Sequence, residues 1–482
     1  MKPQSRILVA QLSVLALLCL NSCTGSGVEF DLDHEPAVVT VVEQGWHLES
    51  SLNLEDGEYF CAAVAGPNTG ELESAAILIE GQREVVLDLR GVVLRGADRE
   101  ADLDGLRGIG VLIRDCENIR VLGGTIGGYR VPIRVLRSRG VLIDGTNFDG
   151  WYAQPLHFMG GESDQAEGID LHWDGAGDST RRFERYGAAI AVAASSRITI
   201  RNCRGRHGQN GVLFEQVQDS SVIDSDFSFL SGWGCALFDS IRNEVSHDVF
   251  DYCVRGVAEG SSGGQGAAGI LLAGATRSNV VAECSATHCG TGLRIVAGDS
   301  EGSAENTIAH SEFSFATCHG IQVEGPSEGD VFVSNQLGQA QQFGLRATNT
   351  TGLVCHDNVM SSARKGGVLL LDSEGSLISD NVIEDTECGI AVESSEASEE
   401  DGGADHWLIH NSLGRNLADL RLRALTQLRL ERNRFNSPAG RLQLERISDA
   451  ELGAVLGKEE ALRRIMGRFT TPPAGLVSDV TF

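Results

Sequence analysis

The chain has 482 residues, 41% of them hydrophobic, so it can bury a sizeable core and global disorder is excluded. A formal charge of −28 with no basic stripe excludes nucleic acid as a partner, and 59 Gly against 9 Pro point to tight turns rather than proline-rich linkers.

Residues 1–22 read as a leader: Lys2 and Arg6 precede an apolar run from Ile7 to Leu20 that is too short for a lasting membrane span. "LNSC" at 20–23 resembles the bacterial lipobox, in which the Cys, here Cys23, receives diacylglycerol after cleavage. Two or more acyl chains, at roughly 0.8 kcal/mol per buried methylene, would anchor the mature chain to a membrane. Thr24 follows where Asp would retain an inner-membrane lipoprotein, so an exported protein on the periplasmic or surface side of the outer membrane is expected. Residues 23–75 are expected to hold the lipidated terminus, a linker and a cap.

From residue 76 the sequence repeats. Gly-plus-aliphatic openings stand at 187, 211, 234, 269, 292, 320, 344, 367 and 389, at intervals of 24, 23, 35, 23, 28, 24, 23 and 22 residues. A second register runs inside each unit, as in "RITIRN" at 197, "SVIDSD" at 221, "SLISDN" at 376 and "HWLIHN" at 406. Short period-2 segments at this spacing cannot be helical. Leucine-rich repeats and propeller blades do not fit the pattern. The expected fold is all-β, a right-handed parallel β-helix of about 13 rungs over residues 76–437, roughly 60 Å long at the spacing of paired strands. The residue after each opening Gly should point inward and the next outward. Asn202, Asn381, Asn411 and Asn433 are expected to stack as amides. Ten cysteines remain beyond Cys19 and Cys23, with no CxxC or zinc spacing. Cys289, Cys318 and Cys388 precede opening glycines, which suggests a ladder of buried thiols.

Excursions break the period at 151–187, 257–269 and 394–406, and long loops on a regular scaffold are where function concentrates. Residues 438–482 should cap the second end, with a small helix at 449–467. Ser448 and Glu451 form its capping box, and Pro472–Pro473 prevents extension.

The stretch "RYGAAIAV…GQNGVLFE…DSDFSFLSGWGCALFD…FDYCVRG", continuing to Gly292, resembles exported bacterial right-handed parallel β-helix repeat proteins of the pectate-lyase-like superfamily. That resemblance implies binding or processing of acidic polysaccharide in a groove along the rod, an implication at the level of fold. The strings of polygalacturonases (Asn-Thr-Asp, Asp-Asp) and of alginate epimerases (Asp-Pro-His-Asp) are missing. "GGQGAA" at 263–268 only half matches a calcium-binding nonapeptide.

The residues offer a sparse set of site candidates. Arg255 could neutralise a uronate carboxylate or withdraw an α proton, or form a structural bridge, with Asp226 as its partner. His288 could serve as acid or base, or simply shape a turn. Arg206, His207 and Asn210 should lie three rungs from His288, roughly 14–15 Å away, a span of several sugar units. Arg294, Gln322 and Arg346 should form an outward row, with Glu215, Asp239, Glu324 and Glu393 alongside. Such rows suit either a polysaccharide track helped by calcium or plain solvated strand faces. Trp151, Tyr152, Trp173 and Tyr186 could stack on sugars or pack the insertion onto the rod. The expected function is a monomeric, envelope-anchored β-helix that binds an anionic polysaccharide; whether it is an enzyme stays open, with cleavage by β-elimination ahead of glycoside hydrolysis or epimerisation if it is. The alternative is a non-catalytic solenoid for adhesion or envelope structure. No cofactor other than calcium is expected.

Overall fold

The computed structural model describes residues 39–41, 46–62, 74–154, 186–255, 266–297, 302–394, 403–437, 441–448 and 451–452. Among the expectations above, the leader with Cys23, Trp173 with most of the 151–187 insertion, much of the 257–269 loop, and residues 453–467 of the C-terminal helix lie outside them.

Alternation along each short strand decides which way it faces. In Val331–Val333, Val354–His356 and Val359–Ser361 only the middle residue is fully buried. One three-residue strand therefore buries one side chain, about 1.5–3 kcal/mol of apolar transfer, and cannot persist alone. Stacking overcomes this. Strands pair in parallel with their counterparts on neighbouring laps, which makes a right-handed parallel β-helix.

One inward column can be followed down the rod through Ile77, Val111, Ile133, Ile190, Val212, Cys235, Ile270, Leu293, Ile321, Leu345, Val368, Ile390 and Leu420. These are the thirteen rungs expected between 76 and 437, and from Val212 to Ile390 each is the residue after an opening Gly. The ladder runs past both ends of that span: Trp46 pairs with Ile77, and Leu442 with Leu420. At the proposed helix, Glu451–Leu452 is instead a short strand paired in parallel with Arg429–Leu430.

The opening glycines recur for a steric reason. A Cβ on Gly234 would stand 2.7 Å from the carbonyl oxygen of Gly269, and one on Gly292 would stand 2.6 Å from that of Gly320. Successive laps approach too closely here for any side chain.

Buried polar ladders hold two corners of the coil. In one, the side chain above accepts from the backbone N–H below through Ser220, Asn243, Asn279, Asn306 and Asp330. In the other, Asn335, Asn358, Asn381, Asn411 and Asn433 stack, each amide accepting from the lap below and donating to a carbonyl there. Three of the four expected asparagines belong to this stack. Asn202 does not: its place in the column is taken by Cys203, and Asn202 sits on the exposed left-handed corner, bonded to Asp144 at 2.9 Å. All ten described cysteines are buried and unpaired. They form no single column, since Cys289 lies over Cys253 whereas Cys388 pairs with Gly366.

Outward side chains of the first sheet change character along the rod. Leu112, Ala191, Leu213, Ala236 and Leu271 are buried and apolar, with the buried Arg134 among them; Arg294, Gln322 and Arg346 then make a polar stretch before Leu369 and Ala391 follow in the same row.

Candidate functional site

Between the third strand of each lap and the first strand of the next runs a column of left-handed corner residues: His207, Phe229, Tyr252, His288 and Phe315. Left-handed backbone is costly for bulky L-residues, so four rings and a His207 corner in one column call for an explanation. Stacking supplies part of it. Phe229 lies 4.8 Å from Tyr252, Tyr252 4.7 Å from His288, and His288 4.7 Å from Phe315, with the planes within 15°. The spacing is that of the strands themselves. Because the rings cover one another's faces, they present edges outward, and Arg206 lies over the free face of Phe229 at 5.2 Å.

Beside this column the rod carries an open depression of about 740 Å³. One wall is the edges of Phe229 and Tyr252 with Leu230 and Val254. The short 3₁₀ turn Leu103–Gly105 and the residue before it add Asp102, Leu103 and Asp104 to the lining. Ala153, Gln154, His207, Gly208 and Ser231 complete it. The chain leaves the described residues directly after Gln154 and after Arg255, both at this part of the rod.

The floor is organised around one amide. Gln154 Oε1 accepts from Gln209 Nε2 and from Arg255 Nη2, each at 3.2 Å, and the Gln154 backbone N–H donates to Gln209 Oε1 at 2.8 Å. Two donors on Oε1 fix the orientation of the amide and leave Nε2 as its donor end. Arg255 Nη1 also donates to the Ser231 carbonyl at 3.4 Å. The Ser231 hydroxyl, in a residue only 9% exposed, has no hydrogen-bond partner. A buried hydroxyl left unsatisfied costs about 1–3 kcal/mol, and such groups sit naturally where a ligand completes them.

The sequence candidates separate into three groups. His207 joins the depression's lining, with Nδ1 3.7 Å from Asp149 Oδ1, and Arg206 stands next to it, paired with Asp226 at 3.1 Å. The column confirms that His207 and His288 are three laps apart, with Phe229 and Tyr252 between them. The expected Asp226–Arg255 bridge is not made, because Arg206 projects from the adjacent lap onto Asp226. Arg255 is buried behind the floor as a positioning group, and neither it nor His288 lines the depression. His288 has both ring faces covered and its Nδ1 3.1 Å from Thr287 Oγ1.

Three substrate-binding candidates are core residues instead. Trp151 is fully buried, pairs with Tyr129 on the lap below, and donates Nε1–H to the Asn210 carbonyl at 2.8 Å. It fits because Gly208 has no side chain to fill the space its indole occupies. Asn210 is buried with its amide donating to the carbonyls of Tyr186 and Gly187 and its Oδ1 accepting from Trp233 N–H. Tyr186 is buried edge-on against Trp233.

Arg294, Gln322 and Arg346 do stand on adjacent laps in register. Glu324 closes the row on itself, taking Arg294 Nη2 at 2.5 Å, Gln322 Nε2 at 2.7 Å and Arg346 Nη1 at 3.7 Å. Glu215 pairs with Phe238, so Asp239 falls one residue outside the expected acidic row. Among the described residues no three His, Cys, Asp or Glu side chains converge to hold a metal ion.

The sequence reading passed over Gln154, Ser231, Asp102 and Asp104. The aromatic column was within reach: counting each lap from its second strand places Phe229, Tyr252, His288 and Phe315 at one offset.

Fold and site together define a right-handed parallel β-helix with a lateral depression beside an aromatic corner column. A family described as "Right handed beta helix region" matches residues 264–401. No curated protein matches the chain. Similar solved structures include the surface adhesin PfbA of Streptococcus pneumoniae, with 14% identity, a TM-score of 0.46, and coverage of 75% of this chain and 84% of that one. A mutant of the periplasmic alginate epimerase AlgG gives 12% identity and a TM-score of 0.47, with 73% and 76% covered. A mutant DFA-IIIase from Arthrobacter chlorophenolicus A6, in complex with DFA-III, gives 12%, 0.36, and 76% and 86%. At such identities these likenesses are of fold, and no activity is carried over from them.

Proposed function

We propose that this protein is an exported, lipid-anchored β-helix that binds a carbohydrate in the depression between the 102–105 turn and the aromatic column. The observation that carries the reading is the Ser231 hydroxyl, buried and unpartnered on the floor beside the oriented amide of Gln154. Apolar walls, a few convergent polar groups and an open groove on a rigid scaffold are what a sugar needs. Anchoring rests on Cys23 at the end of the apolar leader.

Binding is favoured over β-elimination. Arg255 is engaged with Gln154 and the Ser231 carbonyl, His288 lies within a ring stack, and neither borders the depression. The adhesion or envelope-structure alternative is compatible with this reading, since it needs a binding surface and no chemistry.

Titration calorimetry against a panel of oligosaccharides tests the proposal. Ser231→Val should weaken binding about tenfold, the worth of one hydrogen bond to a buried site group, with the melting temperature little changed. Gln154→Ala should weaken it similarly while lowering the melting temperature, since it strands Gln209 Nε2 and Arg255 Nη2. Binding that survives both substitutions would place the ligand elsewhere. Unsaturated-uronate absorbance that appears with wild type and is lost in Arg255→Met would restore the lyase reading. Metabolic palmitate labelling lost in Cys23→Ala would establish the anchor.

A further inference from the structure

Among the described residues the polar side chains lining the depression are two carboxylates, the Gln154 amide, the Ser231 hydroxyl, the His207 imidazole and the Tyr252 phenol. Asp102 and Asp104 are exposed carboxylates, acceptors when ionised, and neither makes an ion pair among the described residues. Gln154 Nε2 and the Ser231 hydroxyl offer donors from the floor. Among the described residues no Lys or Arg lines the space; Arg255 lies behind Gln154, and Arg206 is turned onto Asp226 and the face of Phe229. A ligand must therefore bring O–H donors for two carboxylates and oxygen acceptors for an amide and a hydroxyl. It must also bring C–H surface for Leu103, Leu230 and Val254. A ligand anion would meet the like charges of Asp102 and Asp104, in a chain already at −28, and the described guanidinium beside them, Arg107, is turned onto the Asp104 and Leu106 carbonyls. The one row of cations the sequence offered to an anion, Arg294 to Arg346, is closed on Glu324.

We propose that the depression selects neutral, hydroxyl-rich sugar units and rejects uronates. This rests on the carbohydrate reading above and narrows it, replacing the anionic polysaccharide expected from the sequence. The second observation behind it is the Ser231 hydroxyl, nine-tenths buried and unpartnered in the same space, which marks a ligand position independently of the two carboxylates.

The test uses the full chain and five probes: cello-, xylo- and manno-oligosaccharides, oligogalacturonate and oligomannuronate. Each is titrated at low and high salt, with and without calcium. Neutral oligosaccharides should bind, with affinity indifferent to salt. Uronates should bind at least about tenfold more weakly at low salt, the gap narrowing as salt screens the carboxylates. Asp102→Asn with Asp104→Asn, both exposed and harmless to folding, should close most of the gap while weakening neutral binding. Uronates bound as well as neutral sugars, with or without calcium, would overturn the selectivity and leave the carbohydrate reading standing. Failure of wild type to bind any of the five would remove both. An unchanged gap in the doubly substituted chain would overturn the role of the two carboxylates.

Discussion

Asp248 is the position where one substitution should reveal most about how the coil is held. It occupies the corner column that higher in the rod is a run of asparagines, and its Oδ1 accepts the Ser225 N–H at 2.7 Å. In each asparagine of that column the amide nitrogen donates to a carbonyl of the lap below: Ile308 for Asn335 and Phe332 for Asn358, both at 2.9 Å. The equivalent carbonyl for Asp248 is that of Val222. A carboxylate cannot donate to it, and Asp248 Oδ2 is buried without a partner. Burial pushes this carboxyl up to about 8, so near neutrality the folded chain holds a proton that the unfolded chain has released. The acid is raised above its unfolded value of about 3.9, so its contribution to stability is complete below pH 4 and is lost as pH rises towards 8. With one proton of difference the slope is about 1.4 kcal/mol per pH unit, or about 3 kcal/mol between pH 5 and 7. Asp248→Asn keeps the acceptor, supplies the missing donor and removes the titration. Urea unfolding of both proteins at pH 4, 5, 6, 7 and 8 should give similar stabilities at pH 4. The asparagine variant should then gain steadily towards pH 8. Parallel stability curves, or a variant less stable at every pH, would refute the argument.

Two further outcomes follow from the same geometry. Asn358→Ala should cost about 2–4 kcal/mol, because it strands the Asn335 N–H and Nδ2 and the Phe332 carbonyl. The exposed Asn202→Ala should stay within about 0.5 kcal/mol, and urea midpoints measured side by side check the contrast. The ten described cysteines should resist a thiol reagent in the native protein and react in denaturant. They are inaccessible, and burial pushes Cys203 and Cys355 up to about 12, far from the reactive thiolate. Rapid labelling of the native chain would contradict the packing.

The coil was legible in the sequence because its determinants are local and repeat. Alternation sets which side chain enters the core, and the opening Gly marks where laps touch, so Val212, Leu293 and Val368 could be placed inside before any contact was known. The depression was not legible, because its parts are brought together only by stacking. Gln154, Ser231 and Arg255 span about a hundred residues of chain, and the fixed spacing between laps makes them neighbours. Trp151 and Tyr186 show the same limit from the other side. As aromatic residues at the edges of a long insertion they read as surface, yet the register seats one inside the coil, over Tyr129, and the other against Trp233. The sequence by itself determined the period, the strand faces and the polar corners. Tertiary structure alone decided which side chains face one another across laps, because that depends on how many residues each excursion inserts between them.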